Sequence, residues 1–175
     1  MKRVTTFVHD YCQNHLKPES IICDLTCGNG NDTLFLAQHF KHVFAIDIQK
    51  AAIESTKNKV RNYSNVSLIH ASHADLNVLE LPKIDAFIFN SGYLPNGNQQ
   101  IITNAVSTLH AIKKAHALLK ENGLLILTFY RKHPGGLEEY QIVYPNIPKF
   151  GYKELIQYVY DNDPLSPIVH IFKQG

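Results

Sequence analysis

The stretch that decides the fold is residues 21–33, which read IICDLTCGNGNDT. A short apolar run ends at Asp24, a turn of small residues follows, and then an apolar-periodic segment begins. This order is typical of a buried strand, a tight loop and the first turn of a helix. Such a junction brings backbone N–H groups and a carboxylate to one point, so it predicts a site for a nucleotide-containing cofactor.

Apolar runs and helical periods alternate on both sides of this stretch. The predicted helices span 4–16, 31–37, 50–62, 101–119 and 137–143, with a short turn or helix over 75–81. The predicted strands span 20–25, 42–48, 66–70, 84–90 and 124–129, and the runs 152–160 and 168–172 form a closing hairpin. Alternating strands and helices imply a mostly parallel sheet covered on both faces. With the hairpin, this α/β pattern predicts a Rossmann-like, seven-stranded class I methyltransferase fold rather than a plain dehydrogenase.

Two helix ends carry specific predictions. Asn31 or Asp32 is placed to cap the helix that follows the small-residue turn, because short polar side chains accept hydrogen bonds from the first backbone N–H groups. The long fourth helix is predicted to close at Asn122 and Gly123, since both residue types tolerate the left-handed conformation that ends helices.

Length and composition indicate one globular domain over residues 1–175, with 45% hydrophobic and 18% charged residues. We expect no membrane span, because no apolar run approaches roughly 18 residues, and no signal peptide, because the N-terminus is too polar. The odd set Cys12, Cys23 and Cys27 favours reduced thiols and a cytoplasmic protein. Cys23 and Cys27 could form half of a metal site, but no second Cys/His pair accompanies them, so packing without a metal is expected.

The glycines of the turn depart from the dinucleotide pattern, in which three glycines bring a pyrophosphate against bare backbone. Gly28 and Gly30 are present, but Thr33 stands where the third glycine belongs. Asp32 occupies the helix N-terminus, where a carboxylate repels a pyrophosphate, and Asp24 adds a second negative charge. These charges suit a cationic ligand, so S-adenosylmethionine, with its sulfonium and ammonium groups, is favoured over NAD.

Two further strand ends supply groups for a nucleoside. Asp47 lies at the end of the second predicted strand, where an acid accepts hydrogen bonds from both ribose hydroxyls. Ser72 and His73 follow the third predicted strand, where they could contact the base or the ribose. An ordinary loop histidine is the alternative for His73.

The loop after the fourth predicted strand, residues 90–95, reads NSGYLP. Methyltransferases that act on amines place Asp or Asn, two prolines and an aromatic residue here. In that pattern an amide oxygen and a backbone carbonyl orient the amine, while the aromatic ring stacks on the target base. Asn90 and Tyr93 keep the spacing although serine and glycine replace the prolines, so the loop favours nitrogen as the methyl acceptor. An Asn turn with a packed tyrosine is the alternative.

The segment after the fifth predicted strand, residues 130–136, reads YRKHPGG. His133 is a candidate base, because an alkylamine with a pKa of about 10 must lose a proton before it can attack a methyl group. Arg131 and Lys132 could hold phosphates, with a solvent-facing turn as the alternative, and Tyr130 could stack on a base.

Three motifs in this order resemble a small bacterial methyltransferase family that was long labelled "putative rRNA methylase". They are DxTxGNGxDT over 24–33, FNxGYLP over 89–95 and HPGG over 133–136. The family is identified as the tRNA 5-(aminomethyl)-2-thiouridine methyltransferase of Gram-positive bacteria, and the resemblance covers nearly the whole chain.

The resemblance implies S-adenosylmethionine as donor and the aminomethyl group of wobble uridine 34 in tRNA as acceptor, giving 5-methylaminomethyl-(2-thio)uridine. The expected partner is the tRNA anticodon loop, and a homodimer would widen the basic surface for it. The predicted cofactor-binding residues are Asp24, Cys27, Gly28, Asn29, Gly30, Asn31, Asp47, Gln49, Ser72 and His73. The predicted catalytic residues are Asn90, Tyr93 and His133, and the predicted substrate-binding residues are Tyr93, Tyr130, Arg131 and Lys132. An rRNA or small-molecule methyltransferase, or a non-enzymatic nucleotide-binding module, is the alternative.

Overall fold

A computed structural model of the chain describes residues 2–91 and 104–175, in which the strands form one seven-stranded sheet. The strands are β1 (Ile21–Asp24), β2 (His42–Asp47), β3 (Val66–His70), β4 (Ile84–Ser91), β5 (Leu119–Phe129), β6 (Tyr152–Val159) and β7 (Ile168–Gln174). Their order across the sheet is β3-β2-β1-β4-β5-β7-β6. The first five strands pair in parallel, whereas β7 is antiparallel to both β5 and β6. The predicted sheet and its closing hairpin are confirmed.

Helices connect the parallel strands. The α-helices of the described residues are α1 (Val4–His15), α2 (Asn31–His39), α3 (Lys50–Lys59), α4 (Ala105–Leu118) and α5 (Gly136–Val143). Two 3-10 helices, His73–Asp75 and Tyr144–Phe150, follow β3 and α5. Among these described helices, none is both long enough and apolar enough to cross a membrane.

The core lies on both faces of the sheet, and alternate residues of β4 belong to opposite sides. Phe87 and Phe89 are fully buried and pack in the cluster that includes α4 and α5. Ile88, between them, packs in the cluster that includes α1 and α2. Because both faces are covered, the strand must be apolar along its whole length, which explains its continuous hydrophobic run. The carboxyl ends of the strands are left to form a binding site.

The end of α4 differs from the prediction that Asn122 and Gly123 close this helix. β5 begins directly after α4, at Leu119, which is buried and pairs with Ile84. Residues 120–123 form an irregularity before the pairing resumes, and Asn122 adopts the left-handed conformation with a φ of 61°. The helix prediction was wrong here because a buried leucine satisfies the apolar period of a helix and of a strand equally well.

The start of α2 also differs from the prediction, since neither Asn31 nor Asp32 caps it. The N-cap is Gly30, in the left-handed conformation with a φ of 79°, and no described side chain caps the helix there. The Asn31 side chain instead accepts a hydrogen bond from the Lys59 ammonium group. Asp32 remains in the first turn, where its charge suits the positive end of the helix dipole.

The start of α4 lies beside the segment that the structure does not describe. The predicted helix start at residue 101 falls outside the described residues. Asn104 is the N-cap, and its side-chain oxygen accepts a hydrogen bond from the Ser107 backbone N–H at 3.0 Å. This side-chain cap anchors the start of the helix.

Candidate active site

A cleft of about 670 Å³ lies at the carboxyl ends of the parallel strands. Many of the predicted site residues line it: Cys27, Gly28, Asn29, Asn31, Asp47, Gln49, Ser72, His73, Asn90, Tyr130, Arg131, Lys132 and His133. Asp24 and Gly30 are not among its lining residues, and Tyr93 lies outside the described residues. The parallel topology therefore brings the carboxyl ends of five strands, with the loops that follow them, to one site, as expected at this edge of an α/β sheet.

Asp24 is fully buried behind the loop that follows β1. Its Oδ2 accepts a hydrogen bond from Thr33 Oγ1 at 2.7 Å, and its Oδ1 accepts one from the Thr26 backbone N–H at 3.3 Å. These bonds tie the end of β1 to the first turn of α2. Burial, together with the nearby Asp32 charge, raises the pKa of Asp24 to about 7. Asp24 thus supports the loop from behind, whereas Asp32 is the carboxylate that faces the cleft.

We expect Asp24 to make the protein less stable as the pH rises from about 4 to about 7. Its folded pKa of about 7 lies above the ordinary 3.8, so the native state holds a proton here that the unfolded state has released. The stabilisation is complete below about pH 4 and is lost as the pH rises through about 7, by an amount on the order of a few kcal/mol.

Denaturant unfolding at a series of pH values measures this dependence. The variant Asp24→Asn keeps the shape but does not titrate, so the free energy of unfolding should lose this part of its pH slope. The same slope in Asp24→Asn and in the wild type would show that Asp24 is not its source.

The two glycines of the loop have different roles. Gly28 lines the cleft with a φ of 52°, and its backbone N–H donates to Asp47 Oδ2 at 3.0 Å. Gly30 instead faces α3, since a Cβ added there would lie 2.8 Å from Thr56 Cα. Gly30 therefore permits the close contact of α2 with α3, and the prediction that it lets a ligand approach the backbone stays a prediction.

Asp47 presents its carboxylate to the cleft at the end of β2. Its Oδ2 is held by Gly28, and its Oδ1 accepts a hydrogen bond from the Gln49 backbone N–H at 2.9 Å. Each oxygen has a second lone pair for a further donor. The adjacent Ile48 also lines the cleft and is 51% exposed. Ile48 was not among the predicted site residues, although an apolar residue directly after a strand-end acid was a usable signal.

His73 and Ser72 line the cleft after β3. His73 Nε2 lies 3.3 Å from Ser107 Oγ, and the imidazole packs edge-on against the Phe89 ring at 4.9 Å. Burial lowers the pKa of His73 to about 4, so the imidazole is neutral at neutral pH. Ser72 Oγ accepts a hydrogen bond from the Ala74 backbone N–H at 3.1 Å. The contact of Ser72 and His73 with a base or ribose stays a prediction.

Asn90, at the end of β4, is held in one orientation. Its backbone N–H donates to Thr26 Oγ1 at 2.9 Å, and its side-chain Nδ2 donates to Asp32 Oδ2 at 2.8 Å. A carboxylate only accepts hydrogen bonds, so the Asn90 group that faces Asp32 must be the NH2 group. The amide oxygen of Asn90 is then directed away from Asp32, in a residue that lines the cleft.

Ser91, the next residue, is fully buried and is bound by a buried acid. Ser91 Oγ donates to one carboxylate oxygen of Glu139, and the other oxygen accepts a hydrogen bond from Thr108 Oγ1 at 2.5 Å. Glu139 belongs to α5 and Thr108 to α4, so this acid ties the end of β4 to two helices. Glu139 was not among the predicted site residues, because an acid in the first turn of a helix is ordinarily a surface charge.

His133 lies at the same end of the cleft. Its Nε2 is 3.4 Å from the Ser91 carbonyl oxygen. Tyr130 lines the cleft nearby, and burial raises the pKa of its phenol to about 12, so the ring is uncharged. The structure therefore brings Asn90 and Ser91, at the end of β4, to the same part of the cleft as His133, which follows β5. The role of His133 as a base stays a prediction.

The two basic residues of the cleft already have protein partners. Arg131 donates from Nε and Nη2 to the Ser166 carbonyl oxygen, at 3.0 and 2.6 Å, and its guanidinium lies 5.1 Å from the centroid of Tyr140. Lys132 Nζ lies 2.5 Å from Asp163 Oδ2 in an exposed ion pair. Exposed ion pairs contribute little and exchange readily. Lys132 is therefore the better placed of the two for a phosphate.

The three cysteines are free and buried. Cys27 lies in the wall of the cleft, and burial raises the pKa of its thiol well above the ordinary range. Within residues 2–91 and 104–175, no group of three or more His, Cys, Asp or Glu side chains is placed to hold a metal ion.

Two family models match this chain. The model described as "Putative rRNA methylase" matches residues 43–172, and "tRNA (Uracil-5-)-methyltransferase" matches residues 3–81. The chain is also 37% identical over 158 residues to "tRNA (mnm(5)s(2)U34)-methyltransferase, chloroplastic" of Arabidopsis thaliana, which covers 81% of this chain and 58% of that protein. The chain spans between about half and two-thirds of the length of three curated relatives that it matches.

Two solved structures have the same fold over the full chain. The "putative rRNA-methylase" from Clostridium thermocellum superposes with a TM-score of 0.91 at 30% identity, covering 100% of this chain and 99% of that chain. A "putative methyltransferase" from Streptococcus mutans, solved in complex with SAH, superposes with a TM-score of 0.87 at 32% identity and the same coverage. SAH, S-adenosylhomocysteine, is the product that remains after S-adenosylmethionine donates its methyl group.

Proposed function

We infer the reaction from the family and from the fold. This chain belongs to the family described as "Putative rRNA methylase", and it shares the class I fold of S-adenosylmethionine-dependent methyltransferases. We propose that it methylates the amine of an aminomethyl group on wobble uridine 34 of tRNA, giving 5-methylaminomethyl-(2-thio)uridine. The name of the Arabidopsis relative supports this acceptor. The amine-orienting groups at the end of β4 support nitrogen as the methylated atom.

The chemistry of the cleft fits S-adenosylmethionine. Asp47 offers carboxylate oxygens for ribose hydroxyls, and the exposed Ile48 offers an apolar surface for the adenine. Asp32 supplies a negative charge for the cationic end, and Gly28 leaves the loop backbone open to the ligand. A cleft of about 670 Å³ is in the size range of small-molecule sites. The bound cofactor supplies a methyl group that is electrophilic because it is attached to a sulfonium.

We expect Asp47→Ala to weaken the binding of S-adenosylhomocysteine by roughly 10- to 100-fold, because a hydrogen bond to a charged group contributes about 1.5–3 kcal/mol. Isothermal titration calorimetry measures the dissociation constant. Asp10→Ala is the matched control, since Asp10 forms an exposed ion pair with Lys2 and does not line the cleft. Unchanged affinity in Asp47→Ala would show that this carboxylate does not bind the ribose.

The fixed orientation of Asn90 is the observation that carries the proposal. A neutral primary amine has two N–H hydrogens that need hydrogen-bond acceptors, and one lone pair that attacks the methyl carbon. In this proposal the Asn90 amide oxygen and a backbone carbonyl at the end of β4 accept those hydrogens, which leaves the lone pair directed at the methyl carbon. Alignment of this kind can lower the barrier by several kcal/mol.

We propose that His133 is the base that removes a proton from the acceptor amine. The alkylamine is mostly protonated at neutral pH, since its ordinary pKa is about 10. His133 lines the same cleft, and in this proposal it takes the proton that the ammonium must lose before it attacks. Bound S-adenosylmethionine would supply the methyl group, and the methylated amine would stay a secondary ammonium at neutral pH, so the one proton released overall is the one that His133 takes and passes to solvent.

The partner that we propose is the anticodon loop alone, because a net charge of +2 offers little attraction for the phosphates of a whole tRNA. Tyr130 and Lys132 stand at the cleft and are available for stacking and for a phosphate. A homodimer, which would widen this surface, is part of the same proposal.

Mass spectrometry of tRNA nucleosides tests the proposal. Purified protein and S-adenosylmethionine are incubated with tRNA from a strain in which the gene is deleted. We expect 5-aminomethyl-2-thiouridine to decrease and its N-methyl product to appear. The same product level in the deletion strain and its parent would overturn the acceptor assignment, and methyl transfer to rRNA or to a free metabolite would favour the alternative.

A further inference from the structure

We propose that His9, on the N-terminal helix, is a positioning residue that holds Asn90 in its productive orientation through Asp32. The inference rests on the proposed function, because it assumes that the Asn90 amide oxygen receives the acceptor amine. His9 itself does not line the cleft. Its effect must therefore pass through another residue.

The three side chains form a continuous hydrogen-bonded chain from α1 to β4. His9 Nε2 lies 2.7 Å from Asp32 Oδ1, and Asn90 Nδ2 lies 2.8 Å from Asp32 Oδ2. Each oxygen of the carboxylate thus has its own donor. Since a carboxylate only accepts, His9 must carry a hydrogen on Nε2, just as Asn90 must present its NH2 group.

The hydrogen bond from His9 restricts the rotation of the Asp32 carboxylate. The terminal torsion of an aspartate is broad, so one hydrogen bond alone leaves its carboxylate able to rotate. His9 removes that freedom, because its own ring is fixed by stacking on Phe35, with the ring centroids 3.8 Å apart and the planes 2° apart. The side chains of His9 and Asp32 are only 22% and 16% exposed, so water competes weakly for these bonds.

The orientation of Asn90 decides whether the acceptor is activated. If the amide rotated by half a turn, it would direct its NH2 group at the amine instead of its oxygen. That donor would bind the lone pair that has to attack the methyl carbon, and the amine would be unreactive. The chain from His9 through Asp32 therefore favours the acceptor orientation of Asn90 over the donor orientation.

Two substitutions at His9 separate hydrogen bonding from packing. His9→Phe keeps a ring on Phe35 but removes the donor, whereas His9→Gln removes the ring and keeps an N–H near the position of Nε2. We expect His9→Phe to lower kcat about tenfold with little change in the KM for S-adenosylmethionine. We expect His9→Gln to keep kcat close to that of the wild type although it loses the stacked ring. Equal loss in both variants, or no loss in His9→Phe, would overturn the proposal.

A measurement without acceptor separates this inference from the proposed function. The side-chain amide of Asn90 is observed by NMR in 15N-labelled protein and assigned from its absence in Asn90→Ala. We expect its resonances to shift, and its hydrogens to exchange faster, in His9→Phe but not in His9→Gln. That result in a protein that does not methylate tRNA would contradict the acceptor assignment and support the positioning role. An Asn90 signal unaffected by His9→Phe would overturn the positioning role, whatever the acceptor.

Discussion

Replacing Asn90 with alanine is expected to lower kcat for methyl transfer about 100-fold while cofactor affinity changes little. The side-chain oxygen is one of the two acceptors that orient the amine, and its removal lets the lone pair point away from the methyl carbon. The backbone bond from the Asn90 N–H to Thr26 Oγ1 does not depend on the side chain, so β4 should keep its end conformation.

Single-turnover kinetics with tRNA, together with calorimetric titration of S-adenosylhomocysteine, check this expectation. Asn146→Ala is the matched control, because Asn146 lies in the 3-10 helix after α5, away from the cleft. A loss confined to KM would show that Asn90 binds the substrate without orienting it. A kcat like that of the wild type would contradict the role of Asn90 altogether.

Among the substitutions described above, Gly30→Ala is expected to lower the free energy of unfolding the most, by about 2–5 kcal/mol. With a φ of 79°, the left-handed backbone at this position costs an L-residue roughly 1–2 kcal/mol. The added Cβ would also lie 2.8 Å from Thr56 Cα, a backbone atom that cannot rotate away, and overpacking of this kind costs roughly 1–3 kcal/mol more. Domains are stable by only about 5–15 kcal/mol, so the effect is a large part of the total.

Urea unfolding measures this change in the free energy of unfolding. Gly135→Ala is the comparison, because Gly135 has the same φ of 79° but lies before α5, away from the α2–α3 contact. The difference between the two variants reports the collision with α3 separately from the backbone strain. A Gly30→Ala protein as stable as Gly135→Ala would show that the helices move apart at little cost.

Most of the fold followed from local patterns. The strands and helices were predicted because a residue's immediate neighbours determine apolar periodicity, and the parallel order followed from their alternation. The errors lie at element ends. Leu119 was assigned to α4 because its pairing with Ile84 of β4 is not a local feature, and the N-cap of α2 is Gly30 instead of Asn31 or Asp32.

Most of the predicted site residues meet at one cleft because the carboxyl ends of parallel strands share one edge of the sheet. Asp47, Asn90 and His133 could therefore be selected from their positions after strands. The sequence did not show which of the two acids in the loop faces the ligand. Packing buries Asp24 behind the loop and leaves Asp32 at the cleft, a distinction that depends on where α2 lies on the sheet.

The sequence by itself determined the sheet, the position of the cleft and the residue types at its strand ends, because these follow from periodicity and from the topology that it implies. Only the tertiary structure decided how the polar side chains pair. His9 with Asp32, Asp32 with Asn90, and Glu139 with Ser91 are separated by 23, 58 and 48 residues. Such contacts form only when helices pack on the sheet at a particular angle, and local sequence patterns do not determine that angle. Residues 21–33 thus predicted a cofactor site from their sequence. The contacts of Thr26 and Asp32 with Asn90 are visible only in the tertiary structure.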